Sequence, residues 1–189
     1  MIKLIVFLGN PGRKYKKTRH NIAWLLEEKL SFTQTVSWQK KWKGVFSQTK
    51  ILDETRYFLK PETYMNRSGE SVEAFMQFFK IIPSEILIIH DDIEIEFGQI
   101  GFKYGGGLGG HNGLRSIVSV LGTRDFYRFR LGVSKPNTSD IAAYVLSGFS
   151  KEERADLPDY LEKAAEELET YIWDNLESGV DQLSKKKVI

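Results

Sequence analysis

Residues 2–12 read IKLIVFLGNPG, a nearly continuous apolar run that stops at a Gly-Asn-Pro-Gly break. Apolar runs without polar alternation are typical of strands whose two faces are both buried, and glycine and proline mark the turns that end them. This stretch therefore predicts a buried strand over residues 2–8 that ends in a loop carrying Asn10.

Strand and helix patterns alternate through the rest of the chain. Strands are predicted at residues 45–51, 56–60, 85–90, 100–104 and 127–133, and helices at 22–30, 68–79, 113–121 and 151–177. Pro158 is predicted to separate a short first turn from the final helix. The pattern predicts an α/β fold: a single domain over residues 1–189, with a twisted mixed (mostly parallel) sheet between helices and a long C-terminal helix. Residues 178–189, with Lys185–Lys187, are predicted to form a flexible tail.

The composition excludes several classes of protein. Of the 189 residues, 41% are hydrophobic and 28% are charged, and none is cysteine. Disulfides, thiolate zinc sites, iron–sulfur clusters and cysteine nucleophiles are therefore excluded. The apolar runs are far shorter than the ~20 residues of a membrane-spanning helix, and the chain opens without a secretory pattern. We expect a cytoplasmic protein that does not bind membranes and, because no strongly apolar exposed stripe is evident, a monomer.

The formal net charge of +2 conceals an uneven distribution. Residues 1–150 carry 21 Lys and Arg against 14 Asp and Glu, whereas residues 151–177 carry 3 against 10. The basic residues cluster at 13–19, at 40–43, and on the strand that holds Arg128 and Arg130. Such clusters suit a polyanion bound through its phosphates, and a solvated charged surface explains the same charges equally well.

Polar side chains follow the predicted strands, at the sheet edge where ligands of open α/β folds collect. They are Asn10, His20, Asn66, Asp91, His111 and Asn112. His20 is the candidate general base, because an exposed place near a helix N-terminus would keep its ring neutral. Asp91 is the candidate partner that accepts the other ring N–H. The alternative is structural, with His20 in the core or at a cap and the asparagines capping helices.

Other chemistries find less support in the sequence. No G-x-S-x-G motif is present, so water is the expected nucleophile, and Asn66 and Asn112 could donate hydrogen bonds to an oxyanion. His90, Asp91 and Asp92 are potential metal ligands, but neighbouring strand residues point to opposite faces, and no metal site is predicted. The glycine run at 105–110 contains G-x-G-x-x-G, yet it comes too late in the chain for a dinucleotide site, and no cofactor is predicted.

Taken together, the motifs resemble those of bacterial-type peptidyl-tRNA hydrolases over about residues 2–175. The matching segments are LGNPG (8–12), TRHN (18–21), KPETYMNRSG (60–69), HDD (90–92), GGHNG (109–113) and RFRLG (128–132). The chain departs from the family pattern where Ile22, Ala23 and Trp24 stand in place of an early glycine, where Phe97 replaces a frequent proline, and where 122–126 is one residue short.

The resemblance implies hydrolysis of the ester that joins a peptide to the terminal adenosine of tRNA. By position, His20 would activate water and Asp91 would orient it. The resemblance assigns substrate contacts to Asn10, Tyr15, Asn66, His111 and Asn112, and tRNA phosphates to Lys103, Arg130 and, more loosely, Lys135. The alternative is a non-catalytic RNA-binding protein on the same scaffold, similar to splicing factors of plant organelles. Retention of His20, Asp91 and all three asparagines argues against that alternative.

Overall fold

The computed structural model describes residues 1–33, 35–51, 53–173 and 185–189. The strands are β1 Leu4–Phe7, β2 Gln39–Lys41, β3 Gly44–Ile51, β4 Glu54–Pro61, β5 Ile86–Asp92, β6 Gln99–Tyr104, β7 Tyr127–Gly132 and β8 Lys186–Lys187. The α-helices are α1 Ile22–Glu27, α2 Ser68–Phe79, α3 Asn112–Leu121, α4 Ile141–Val145 and α5 Lys151–Trp173. In this part of the chain no helix is long and apolar enough to span a membrane.

The strands form one mixed sheet in the order β2-β3-β4-β1-β5-β7-β6-β8. The four central strands, from β4 to β7 in that order, run parallel, and the pairs outside them are antiparallel. The predicted fold class, a single α/β domain with a mixed sheet and a long C-terminal helix, is confirmed. The carboxyl ends of the parallel strands meet at one edge, and this positions the site described below.

Both faces of β1 are buried, as its apolar run predicts. Ile5 and Phe7 point into the core beneath α1 and α5, whereas Leu4 and Val6 point into the core beneath α2 and α3. Alternate residues of a strand face opposite sides, so a strand with a core on each side must be apolar throughout. Full burial of each such side chain stabilises the fold by about 1.5–3 kcal/mol.

The final helix corrects one expectation. Helix α5 continues through Pro158 instead of dividing there. An internal proline costs one backbone hydrogen bond, but Tyr160, Leu161 and Leu168 are buried beyond it, and this packing holds the helix together. At its start Glu153 N–H donates to Ser150 Oγ at 3.1 Å, and Ser150 N–H donates to Glu153 Oε2 at 2.6 Å, a reciprocal capping box.

Of the predicted tail, 178–189, the structure describes residues 185–189. β8 pairs antiparallel with β6, and Val188 and Ile189 pack against the core. Residues 185–189 are therefore placed against the sheet, contrary to a free tail. The prediction of flexibility over 178–184 lies outside the described residues. β2 was not predicted, because Gln39–Lys41 is exposed and has no apolar alternation.

Candidate active site

A cleft of about 520 Å³ lies at the carboxyl ends of β5 and β7. Two groups of side chains line it. We call the first the hub, which consists of His20, Asp91 and His111. We call the second the cationic end, which consists of Lys103, Arg115 and Arg130. Ile141, Ala142 and Val145 of α4 form an apolar wall of the same cleft.

The hub is centred on the Asp91 carboxylate near the end of β5. Its Oδ1 atom lies 2.8 Å from His20 Nδ1 and 3.0 Å from His111 Nε2. His20 and Asp91 are both buried, although 71 positions separate them in the chain. The predicted meeting of these two side chains is therefore present, and a second imidazole joins them.

The hydrogen bonds assign the tautomers of both rings. Nδ1 of His111 accepts from the backbone N–H groups of Gly113 at 3.1 Å and Leu114 at 3.3 Å, so its Nε2–H donates to Asp91. In the same way His20 donates its Nδ1–H to the carboxylate. Nε2 of His20 then keeps a lone pair on a ring that lines the cleft, the arrangement a general base requires.

The environment of His20 differs from the expected one. The residue lies in the 3-10 turn Arg19–Asn21 ahead of α1, and it is only 6% exposed. Burial lowers the pKa of His20, but the charge and hydrogen bond of Asp91 outweigh burial, so the pKa is raised above 6.5. The charge and the hydrogen bond of Asp91 together set the direction of this pKa shift, which is opposite to the direction expected from a helix N-terminus.

The neighbouring groups complete the electrostatics of the hub. Burial raises the pKa of Asp91, but the charges and hydrogen bonds of the two imidazoles hold the pKa well below its usual range, so Asp91 is ionised. Burial lowers the pKa of His90 well below 6.5, and that ring is neutral. His90 Nδ1–H donates to the Asp91 carbonyl oxygen at 2.6 Å, which further secures the carboxylate's backbone.

Asn10 is held on three sides at the end of β1. Its Oδ1 accepts from Met65 N–H at 2.8 Å, its backbone N–H donates to Asn21 Oδ1 at 2.9 Å, and its carbonyl oxygen accepts from Asn21 Nδ2 at 2.9 Å. These bonds fix the orientation of the Asn10 amide. No local spacing rule marks Asn21 as the partner of Asn10, because the two residues meet only when the loop between β1 and α1 folds back.

The other residues predicted to contact the substrate or tRNA differ in whether they line the cleft. Asn112 is exposed and lines the cleft at the start of α3, where His111 and not Asn112 provides the cap. Asn66 is exposed in the 3-10 turn Met65–Arg67, and its side chain caps no helix. The cleft-lining residues do not include Asn10, Asn66, Tyr15 or Lys135.

Tyr15 and Lys135 contact other side chains. The ring of Tyr15 packs edge-to-face on Tyr64 with 6.4 Å between the ring centroids, and Lys135 Nζ lies 3.5 Å from Glu94 Oε1.

The two arginines of β7 have different surroundings. Arg130 reaches the cleft, and its Nη1 lies 3.3 Å from Asp92 Oδ2. Arg128, expected on a basic face, is only 3% exposed, and its guanidinium donates to the carbonyl oxygens of Gly105 and Gly107. Burial lowers the pKa of Arg128 to about 10, so the side chain stays charged at neutral pH. Arg128 therefore organises the glycine run and is no part of a solvated surface.

The glycine run brings the backbone close to the cationic end. Gly106 has a φ of 83°, and a Cβ there would lie 2.7 Å from Lys103 Cε and 3.4 Å from Arg128 Nη2. Only glycine accommodates both constraints. At Gly106 the backbone therefore packs directly against the side chains of Lys103 and Arg128.

Among the described residues, the hub is a group whose ligand atoms lie within 4.8 Å of one another, close enough to hold a metal ion. This group consists of His20, Asp91 and His111. Of the potential ligands considered in the sequence, His90, Asp91 and Asp92, it contains only Asp91. Both imidazole N–H groups donate to the same carboxylate oxygen, so a metal ion would have to replace both protons. The hydrogen bonds already satisfy these atoms.

An imidazole held by an ionised carboxylate in a cleft, with amides nearby, is an arrangement typical of enzymes that catalyse hydrolysis. The comparisons with known proteins agree with this class. A family model described as peptidyl-tRNA hydrolase matches residues 4–189. The chain belongs to the peptidyl-tRNA hydrolase family and is a hydrolase.

Individual relatives match most of the chain. A peptidyl-tRNA hydrolase of Treponema pallidum is 48% identical over 162 residues, which cover 83% of this chain and 80% of the relative. One from Neisseria gonorrhoeae is 42% identical over 98% of both chains. The crystal structure of the peptidyl-tRNA hydrolase of Acinetobacter baumannii superposes with a TM-score of 0.85 at 34% identity, covering 96% of this chain and 93% of that one.

Proposed function

We propose that this enzyme hydrolyses the ester between peptide and tRNA in peptidyl-tRNA, and so recycles tRNA from prematurely released peptidyl-tRNAs. The observation that carries the proposal is the 2.8 Å contact between His20 Nδ1 and Asp91 Oδ1. It fixes the ring so that Nε2 is the proton acceptor. Family membership supplies the identity of the ester.

In the proposed reaction, His20 Nε2 removes a proton from water as the water oxygen attacks the ester carbonyl carbon. Asp91 stabilises the imidazolium that forms, and His20 then returns the proton to the ribose oxygen as the ester bond breaks. The peptide leaves as a carboxylic acid and the tRNA as a free hydroxyl. A positioned base contributes about 10² to 10⁴ in rate.

The asparagine side chains carry neutral N–H donors, which are suited to hydrogen bonds with the developing oxyanion and with the peptide main chain. Asn112 is at the cleft, and Asn10 is oriented by Met65 and Asn21. A single oxyanion donor is worth about 10² to 10³ in kcat. We assign Asn10, Asn66 and Asn112 to these contacts and place Tyr15 beside the terminal nucleotide.

His111 has a supporting role in this proposal. It donates to Asp91 and also caps α3 through its other ring nitrogen. The start of α3, which carries Asn112, is thereby tied to the carboxylate that orients the base. A displacement of either element would disturb both the base and the amide.

The tRNA phosphates would bind the cationic end. Arg130 lines the cleft on β7, one strand beyond Asp91 in the sheet, and Lys103 lines it on β6, two strands beyond. In the described residues Lys103 has no carboxylate partner, whereas Arg130 already pairs with Asp92, so a phosphate would compete with that pair. Lys135 does not line the cleft, but it lies beside Glu94, which does. We infer that the enzyme acts as a monomer in the cytoplasm, where its substrate arises.

A release assay tests the proposal. Purified enzyme is mixed with tRNA that carries a labelled N-acylated amino acid, and free label is measured for the wild type and for His20→Ala side by side. We expect release by the wild type, and a kcat about 10² to 10⁴ lower with a modest change in KM for the variant. Equal kcat values would overturn the role of His20. Tight tRNA binding without release by the wild type would favour the non-catalytic RNA-binding alternative.

A further inference from the structure

The residue immediately before His20 has a buried charged side chain. The Arg19 side chain is 7% exposed and pairs with Glu153 of α5, with 2.6 Å between Nη2 and Oε2. Its Nη1 donates to Ser147 Oγ at 2.8 Å and to the Gly148 carbonyl oxygen at 2.6 Å. These contacts of the guanidinium join Arg19 to residues more than 120 positions away in the chain.

Aromatic and backbone contacts strengthen the same connection. The guanidinium carbon lies 4.2 Å from the ring centroid of Tyr144 and 5.4 Å from that of Phe149. The backbone N–H of Arg19 donates to the Ser147 carbonyl oxygen at 3.1 Å, and Thr18 forms a bridge with Gly148. The turn that carries His20 is therefore joined to the corner between α4 and α5.

That corner decides where one wall of the cleft lies. Helix α4 has five residues, too few to be stable alone, and its position depends on contacts with the rest of the molecule. Ile141 and Val145 on this helix line the cleft, and Tyr144 between them rests on Arg19. The second anchor of the helix is the bond from Tyr144 Oη to the Val133 carbonyl oxygen at 2.6 Å.

We propose that Arg19, together with Glu153, is a positioning residue that sets the distance between the α4 wall and His20. The inference rests on the proposed function, because it requires that the substrate bind in the cleft that this wall lines. The planar guanidinium is suited to this task, since its fork bonds Ser147, Gly148 and Glu153 at once while its face packs on Tyr144. A lysine would keep the charge, but its ammonium group has no planar fork and could not form all of these contacts at once.

A double-mutant cycle with Arg19→Lys and Glu153→Gln tests the proposal in the full-length enzyme. We expect each single variant to lower kcat/KM by about 10- to 100-fold, mainly through KM, because a small misplacement of a substrate-contacting element has effects of this size. The double variant should lose little more than either single variant. The pH midpoint of kcat should stay unchanged, since the His20–Asp91 bond is not altered.

The exposed pair of Lys163 and Asp159 on α5 provides the matched control. Their atoms lie 3.0 Å apart on the same helix, away from the cleft-lining residues. Lys163→Met and Asp159→Asn should leave kcat and KM at the parent values. A purely structural role of Arg19 would lower the thermal midpoint and the fraction of folded enzyme without changing KM, and that result would overturn the proposal.

Hydrogen exchange separates this inference from the proposed function. Amides of residues 141–147 should exchange faster in Arg19→Lys than in the parent, while amides of β5 keep their protection. If the wild type releases no peptide, the proposed function fails, and the exchange result still decides whether Arg19 holds α4. If Arg19→Lys does not fold, Ser147→Ala removes a single acceptor from an exposed residue and should raise KM in the same direction. Unchanged exchange and unchanged KM would refute the positioning role.

Discussion

The hub and the cationic end of one cleft are built in opposite ways. In the hub, the carboxylate oxygen accepts from two imidazoles, and the second nitrogen of His111 accepts from the backbone. At the cationic end, Lys103 is a partly exposed side chain without a carboxylate partner among the described residues. Proton transfer requires one tautomer in one orientation, which hydrogen bonds provide, whereas anion binding requires charge that is still available. Substitutions in the two groups should therefore affect different kinetic constants.

The largest effect is expected for Asp91→Asn. A carboxamide has one acceptor oxygen and no charge, so it cannot orient both imidazoles and stabilise an imidazolium. We expect kcat to fall by on the order of 10³ to 10⁴, the scale of the loss when the carboxylate of a Ser-His-Asp triad becomes an amide. Steady-state release kinetics measure it. A fall confined to KM would contradict the assignment of Asp91 to the chemical step.

The pH dependence follows from the raised pKa of His20. The base acts as the neutral ring, so kcat/KM should rise about tenfold per pH unit up to a midpoint above 6.5 and then level off. Loss of the carboxylate charge in Asp91→Asn should move the midpoint down. In the wild type, the raised pKa of His20 also stabilises the folded chain below pH 6.5. This contribution is lost as the pH rises through the folded-state pKa. A midpoint below 6.5 in the wild type would show that burial outweighs Asp91.

A smaller effect is expected for His111→Asn. Asparagine is a good N-cap, so α3 and the thermal midpoint should change little, but the second hydrogen bond to Asp91 is lost. Such a bond contributes about 1–1.5 kcal/mol, which corresponds to about a tenfold fall in kcat. Thermal unfolding and release kinetics on the same preparation separate the two roles. An equal loss of stability and of activity would mean that capping is the main role of His111.

The smallest effects belong to the cationic end. Lys103→Ala should raise KM about fivefold, leave kcat nearly unchanged, and reduce the slope of log KM against log salt by about 1, and Arg130→Ala should act in the same direction. Arg130→Ala should have the weaker effect, because Asp92 already compensates part of its charge. Lys50→Ala, an exposed lysine on β3, is the control and should leave the salt slope unchanged. A salt slope that stays at the parent value in both variants would contradict phosphate binding here.

Much of the fold follows from local patterns. The apolar runs before Asn10 and before Asp91 predict strands that are buried on both faces, and β1 and β5 lie at the centre of the sheet. Local rules failed where packing outweighs propensity. Helix α5 continues through Pro158, and Arg128, on an alternating strand, is buried beneath the glycine run.

The sequence alone determined which groups are available: three histidines, one aspartate after a buried strand, amides in the loops, and cations on the outer strands. These follow from residue type and short-range periodicity, which act over a few positions. Only the tertiary structure decided that Asp91 is shared by two imidazoles, that its charge raises the pKa of His20, and that Arg19 joins the base to α4. The physical reason is that hydrogen bonds and charge interactions depend on distances of about 3 Å between residues far apart in the chain, and only folding sets those distances.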